Sequence, residues 1–226
     1  MSAIPQQAAE PQSLAEALQN LQQQVARQLP ADMHTRLSTA IDELVRSNPA
    51  ARAVRVGQDA PEFTLPDLAG HALTLSEQLR AGPVILTFYR GSWCPYCDLT
   101  LRAYSKMVPQ LRRVGAQLIA ISPQRADAAV PNAVEHRGLD FPLLSDMGNR
   151  VARQYGLVYG VDSLMRSLFA DFGLDLPSVN GAASWELPVP ATFLVTPDTR
   201  VRWAYVESDY RRRAEPEHVL RALAEL

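Results

Sequence analysis

Cysteine is scarce in this chain: there are two among 226 residues, Cys94 and Cys97. So few exclude a disulfide-stapled scaffold, which needs several bridges to make up for a thin core. At 47% hydrophobic the chain is long enough for one sizeable core plus an appendage. Excess charge is missing too. The formal net charge is −2, so neither nucleic acid nor an acidic surface is expected as a partner. No apolar run approaches the length of a bilayer span, and no membrane partner is expected. The start, Met1-Ser2-Ala3-Ile4-Pro5-Gln6-Gln7, lacks a charged n-region and an apolar core, so no signal peptide is read there and a cytoplasmic location is expected. There is no Gly-rich phosphate loop and no Ser/His/Asp set of usable spacing. The four histidines (His34, His71, His136 and His218) have no ligand-like spacing, and CxxC alone is half of a structural zinc site. No metal and no cofactor is expected.

What is present falls into three parts. Residues 1–12 are rich in Gln, Ala and Pro and read as a mobile N-terminus. Residues 13–50 read as a two-helix arm. Ser13-Leu14-Ala15-Glu16 is a capping box, and Leu14, Leu18, Leu21, Val25 and Leu29 share one helical face. Pro30 stops that helix and Asp32 can cap a second, carrying Met33, Leu37, Ile41, Leu44 and Val45 and ending near Asn48-Pro49. The arm either packs on its own domain, the simpler expectation, or builds a homodimer contact.

Residues 54–226 read as one domain. Short strands are expected at 54–56, 63–66 and 73–75. Strand 83–89 then leads to helix 94–113, kinked at Pro109, and strand 117–122 to helix 125–137, ended by Gly138. Strand 141–145 leads to helix 147–155, and a helix over 162–172 follows. Strands 191–196 and 201–206 form a hairpin around Pro197-Asp198-Thr199-Arg200, and a helix over 215–226 closes the chain. This alternation predicts an α/β fold: a mixed central sheet with helices on both faces, plus the N-terminal helical arm.

The chemistry concentrates in Phe88-Tyr89-Arg90-Gly91-Ser92-Trp93-Cys94-Pro95-Tyr96-Cys97. A strand feeds a glycine turn that delivers C-x-x-C to a helix start. There, free backbone N–H groups and the positive end of the macrodipole favour thiolate over thiol. A second thiol one turn on can close a disulfide with the first, which is the chemistry of a redox dithiol. Cys94, nearest the cap, should feel the N–H groups most. Cys97 is more enclosed, which raises a thiol's pKa unless a positive charge is near, and Arg90 is the candidate for that charge or else points to solvent or pairs with a carboxylate. Trp93 reads as a packing lid, and Tyr96 either lines the entrance or stands half-exposed. Arg211-Arg212-Arg213 reads as a solvated rim capped by Glu215 and Glu217. Asp146 and Asp209-Tyr210 read as turn and cap residues.

These residues carry a resemblance. Gly57-Gln58-Asp59-Ala60-Pro61-Glu62-Phe63-Thr64-Leu65, the strand into Phe88-Tyr89-Arg90-Gly91, the WCPYC run and Pro190-Ala191-Thr192-Phe193-Leu194-Val195 together resemble the thioredoxin-like superfamily. More narrowly they resemble peroxiredoxin-like proteins of the alkyl hydroperoxide reductase/thiol-specific antioxidant (AhpC/TSA) group. The resemblance implies a thioredoxin-like fold and an antioxidant thiol peroxidase. Its substrate would be hydrogen peroxide or an organic hydroperoxide, and its reductant thioredoxin or a glutathione-type thiol. It places Cys97 at the peroxidatic position, Cys94 where a threonine belongs, Arg90 where a proline belongs, Thr100 where a glutamate is frequent, and Pro190 where the site arginine falls. In the peroxidase reading Cys97 attacks the O–O bond and Cys94 resolves the sulfenic acid. The alternative is dithiol–disulfide exchange with protein or glutathione disulfides, in which Cys94 attacks and Cys97 resolves. Both imply a Cys94–Cys97 disulfide. The resemblance also implies that Val189–Pro190 is cis and lies against the dithiol. The Pro-Tyr pair between the cysteines implies a glutaredoxin-like couple, roughly −200 to −230 mV against about −270 mV for thioredoxin.

Overall fold

The computed structural model describes residues 13–127 and 139–226. The tail 1–12 and nearly all of the helix expected over 125–137 lie outside them. The first two helices form as the apolar spacing predicts: α1 spans Leu14–Gln28 and α2 spans Ala31–Ser47. Ser13 caps α1, its hydroxyl accepting from the Glu16 N–H. Asp32 does not cap α2. The chain turns at Pro30, which takes the N-cap position without a side-chain bond and leaves Asp32 inside the first turn.

Nine strands follow among the described residues, interleaved with seven more helices: β1 (Thr64–Pro66), β2 (Ala72–Thr74), α3 (Leu75–Leu79), β3 (Val84–Phe88), α4 (Pro95–Ser105), α5 (Val108–Arg113), β4 (Gln117–Ser122), β5 (Leu143–Ser145), α6 (Arg150–Gln154), β6 (Val158–Gly160), α7 (Ser163–Asp171), α8 (Leu176–Asn180), β7 (Glu186–Pro188), β8 (Ala191–Val195), β9 (Val201–Val206) and α9 (Pro216–Ala224). The central sheet runs β5-β4-β3-β8-β9. Strands β3, β4 and β5 are parallel, and β8 and β9 antiparallel to their neighbours. This is the expected thioredoxin-like α/β architecture.

The strand sequences show why β3 is apolar throughout. Ile85, Leu118 and Leu194 face a core shared with α4 and the first two helices. Leu86, Phe88, Ile119, Ile121 and Phe193 face a second core under α3 and α6. A strand covered on both faces has no reason to alternate with polar residues. The exceptions, Thr87 and Thr192, sit opposite each other in register and share a hydroxyl contact of 3.3 Å. Tyr104 from α4 reaches the same spot. Its hydroxyl lies 3.1 Å from Thr192 Oγ1 and donates to the Ala214 carbonyl at 3.1 Å.

Several expectations need correction. The helix over 94–113 is two helices, because Pro109 has no N–H for the fourth carbonyl before it and fits instead in the first turn of α5. Val54–Val56 is not a strand. The Val54 N–H bonds to Tyr155 and the Gly57 N–H to Val201, so no ladder forms with either neighbour. The 147–155 helix starts as a 3-10 turn with left-handed Gly148 and Asn149, and α6 begins only at Arg150. Asp146 is a cap, its carboxylate accepting from the Val151 and Ala152 N–H groups. The short elements β6, β7 and α8 escape periodicity, since three to five residues carry too little pattern. Val189–Pro190 is trans, and among the described residues no peptide bond is cis. Pro190 sits at a strand start, where its missing N–H interrupts no ladder, and Val189 donates to the Leu157 carbonyl at 2.7 Å.

The first two helices pack on this same body, α1 on α4 and α2 on α7. Glu215, at the N-cap of α9, accepts from the Leu14 and Ala15 N–H groups at 3.1 and 2.6 Å, so the last helix satisfies the free end of the first. Arg36 pairs with Asp171 at 2.9 Å and bonds Ser167 at 2.7 Å, fixing α2 to α7.

Candidate functional site

The site begins where β3 runs out. Tyr89 still bonds β4 through the Ile121 carbonyl, and Gly91 then turns the chain at φ 144. A side chain at Gly91 would run into the Trp93 indole, so only glycine fits that turn. Gln124 holds the turn, its Oε1 accepting from the Ser92 N–H at 2.7 Å and from the Ser92 hydroxyl at 3.0 Å. Cys94 takes the N-cap of α4, Pro95 its first position, and Cys97 the third. Both sulfurs therefore sit in the first turn, at the positive end of the helix dipole. Both cysteines are free thiols and both are 1% exposed. They are close enough for one sulfur to hydrogen-bond the other.

Two guanidinium groups flank the pair. Arg90 Nη1 lies 4.0 Å from Cys94 Sγ, and Arg213 Nη2 lies 3.6 Å from Cys97 Sγ. Arg90 does not point to solvent. It is 3% exposed and stacked among aromatic faces, 3.9 Å from the Tyr210 ring centre and 4.7 Å from that of Trp93. Arg213 corrects two expectations. The resemblance puts Pro190 where the site arginine belongs, yet a guanidinium reaches Cys97 from the segment after β9. The Arg211–Arg213 run is also not a uniform solvated rim capped by Glu215 and Glu217. Arg211 pairs with Asp209 at 2.8 Å, Glu215 caps α1, and Arg213 turns inward. The mixed composition of the run hid this, since only the fold decides which of three arginines faces in.

The sulfurs have opposite tendencies. Burial pushes the Cys94 thiol well up, and the neighbouring Cys97 adds to the rise. At Cys97 burial also opposes ionisation, but the bond from Cys94 and the charges of Arg213 and Arg90 outweigh it and bring it down to about 5. Across neutral pH the pair holds one proton between two sulfurs.

Access is equally asymmetric. Cys94 lines a cavity of about 300 Å³ with Arg90, Trp93, Tyr96 and Tyr210. Val25, Gln28, Leu29 and Leu37 from the first two helices and the turn between them, and Met165, Phe169 and Phe172 on the α7 side, also line it. Cys97 lines a separate space of about 10 Å³ with Pro190, Thr192, Tyr205 and Arg213, room for about one water. So Cys94, Cys97, Arg90, Trp93 and Pro190 all converge. Trp93 is half-buried, edge-on to Phe169 with ring centres 5.3 Å apart, and Tyr96 is buried against Tyr210. Thr100 spends its hydroxyl on the Tyr96 carbonyl at 2.8 Å.

Tyr104 positions Arg213 through the carbonyl of the next residue. Tyr104→Phe should cost about 1–2 kcal/mol in urea denaturation, because the Ala214 carbonyl is left buried without its donor. An unchanged denaturation midpoint would show that this hydroxyl holds nothing.

The chain is similar to thiol-disulfide oxidoreductases ResA. It is 32% identical to that of Bacillus thuringiensis (strain Al Hakam) over 104 residues, 46% of this chain and 59% of the relative. It is 32% identical to that of Geobacillus kaustophilus over 105 residues, again 46% of this chain and 59% of the relative. These curated relatives are thus matched over less than two thirds of their length. Among solved structures, peroxidoxin BcpB from Mycobacterium tuberculosis shares the fold with a TM-score of 0.56 at 24% identity, over 76% of this chain and 98% of that one. PrxQ from Xylella fastidiosa (a C47S mutant) does so with 0.58 at 16%, over 76% and 96%. A putative thiol:disulfide interchange protein DsbE from Chlorobium tepidum gives 0.53 at 20%, over 76% and 98%. The AhpC/TSA family matches residues 56–204, a span that contains the dithiol and all of the central sheet but the end of β9. The chain belongs to the AhpC/TSA family.

Proposed function

We propose that this protein is a thiol-disulfide oxidoreductase in which Cys94 attacks and Cys97 resolves. One observation carries the assignment: of two sulfurs that share one proton, only Cys94 opens on a cavity large enough to admit a partner. The Cys97 thiolate takes the proton of Cys94 as Cys94 attacks a partner disulfide. A bond forms between Cys94 and one partner sulfur, and the other leaves as thiolate. Cys97 then gives up its proton to the leaving sulfur or to water and attacks Cys94 Sγ, forming the intramolecular disulfide and releasing the second partner sulfur. Arg213 holds the Cys97 charge in the resting state and again before this second attack. The ResA and DsbE likenesses support exchange over peroxide chemistry.

Hydroperoxide reduction is the second reading, favoured by a guanidinium 4.0 Å from the Cys94 sulfur, placed for charge developing on a departing oxygen. The oxidant would reach Cys94 rather than Cys97, and a thioredoxin or glutathione-type thiol would restore the dithiol. The two readings separate in one assay pair: insulin disulfide reduction driven by dithiothreitol, and peroxide consumption coupled to a thioredoxin system. Fast insulin reduction with slow peroxide loss is expected. Absence of insulin reduction together with rapid peroxide loss would reverse the order.

A further inference from the structure

Among the described residues, Arg90 is a buried cation without a carboxylate partner. Among the described residues its side chain meets the Cys94 sulfur, the Tyr210 hydroxyl and three aromatic faces, interacts electrostatically with Cys97 and buried Tyr159, and keeps a buried Nε with no hydrogen-bond partner. Guanidinium remains charged whatever its surroundings. An isolated buried charge is costly, so a counter-charge is called for. The dithiol supplies only part of it: two guanidiniums, Arg90 and Arg213, share a pair that carries one negative charge near neutrality. Arg90 also lines the 300 Å³ cavity, together with the apolar side chains Val25, Leu29, Leu37 and Phe169, the last with its ring centre 5.8 Å from the guanidinium. A cavity with one unbalanced cation in a largely apolar lining, to which Gln28, Tyr96 and Tyr210 add polar groups, fits a particular chemistry.

We propose that the cavity between the first two helices and α7 binds an amphipathic monoanion, an apolar molecule ending in a carboxylate, with the carboxylate at Arg90 and the apolar part along Val25, Leu29, Leu37 and Phe169. This deepens the oxidoreductase reading and rests on it, because it names the class of substrate or effector that meets Cys94. The site is redox-sensitive. When a partner disulfide RSSR oxidises the pair, one thiol and one thiolate become the Cys94–Cys97 disulfide, and RSH and RS⁻ leave. The negative charge beside Arg90 and Arg213 leaves with them, so the oxidised protein has the greater need of an anion. Linkage makes the effect reciprocal: an anion that prefers the disulfide form makes the couple more reducing.

Decanoate and its uncharged counterpart decan-1-ol test the site, with binding to the full chain followed by calorimetry at pH 7. Decanoate should bind about tenfold more tightly than the alcohol, the margin of a charge-assisted over a neutral hydrogen bond. Its affinity for the oxidised protein should exceed that for the reduced protein by about fivefold, and saturating decanoate should lower the midpoint potential by about 20 mV in a glutathione buffer. Arg90→Met should erase the preference for decanoate. Leu37→Trp, which enlarges a side chain of the apolar lining, should weaken both ligands, and its circular dichroism and thiol titration report whether it has folded. Equal binding of acid and alcohol to the parent protein, binding of neither, or a preference that survives Arg90→Met would overturn the proposal. Insulin reduction is scored separately. Its loss with decanoate binding intact removes the oxidoreductase reading and leaves an anion site, whereas the converse removes only the anion.

Discussion

Cys97→Ser protein mixed with a disulfide-bearing partner is expected to accumulate as a stable mixed disulfide through Cys94, while Cys94→Ser protein forms none. The first substitution leaves the sulfur that opens on the cavity and removes the one that resolves it. The second leaves only a sulfur whose adjoining space holds about one water. Both variants should lose insulin turnover by several orders of magnitude, because the two sulfurs act as one unit. Only the trapping experiment separates them, read by non-reducing electrophoresis and by mass of the adduct. Serine at 97 also removes the thiolate that takes the Cys94 proton, so trapping should be slow at pH 6 and recover towards alkaline pH. Adducts on Cys94→Ser instead, carried by Cys97, would give Cys97 the attacking role and overturn the assignment of Cys94 as nucleophile.

The reduced protein should become more stable as pH rises from about 5 towards 9, and the disulfide form should not follow it. Cys97 in the folded dithiol ionises near 5, against an ordinary thiol value of 9.0. Between those limits the unfolded chain holds one more proton than the folded one, so unfolding takes up a proton and is disfavoured as pH rises. A depressed acid contributes its stability above the unfolded value and loses it as pH falls through the folded value. Above 9 the trend reverses, because buried Cys94 keeps its proton where an unfolded thiol ionises. The gain across the window is on the order of a few kcal/mol. Urea titrations of reduced and oxidised protein at pH 5.5 and 8 measure it as a difference of differences, in which the other titrating groups largely cancel. Arg213→Met should shrink the effect, since a charge 3.6 Å from Cys97 is gone. Parallel pH trends in the two redox forms would show that no shifted thiol is present.

Part of this was legible in the residues alone. The apolar rows of α1 and α2, the capping box at Ser13, the uninterrupted Val84–Phe88 run and the turn before β9 obey periods of 3.6 or 2, or turn chemistry that acts over a few neighbours. The sequence accordingly predicted those elements with small boundary errors. Where a proline interrupts a pattern its consequence was harder to read. Pro109 divides a helix rather than bending it, and Pro190 takes an ordinary trans strand start. Elements of three to five residues, such as β6 and α8, offer too few positions for any period to register.

The dithiol shows the same division. That Cys94 and Cys97 stand one turn apart at a helix start follows from spacing and from the glycine turn before them, because hydrogen bonding along the chain is local. Which sulfur carries charge, and which meets a partner, does not follow. The first depends on Arg213, brought to Cys97 across 116 positions of sequence. The second depends on α1, α2 and α7 meeting over Cys94 and on β8 closing over Cys97. Local order in the chain is set by nearest-neighbour sterics and capping. Burial and electrostatic balance are sums over residues remote in sequence, and only the folded arrangement performs that sum.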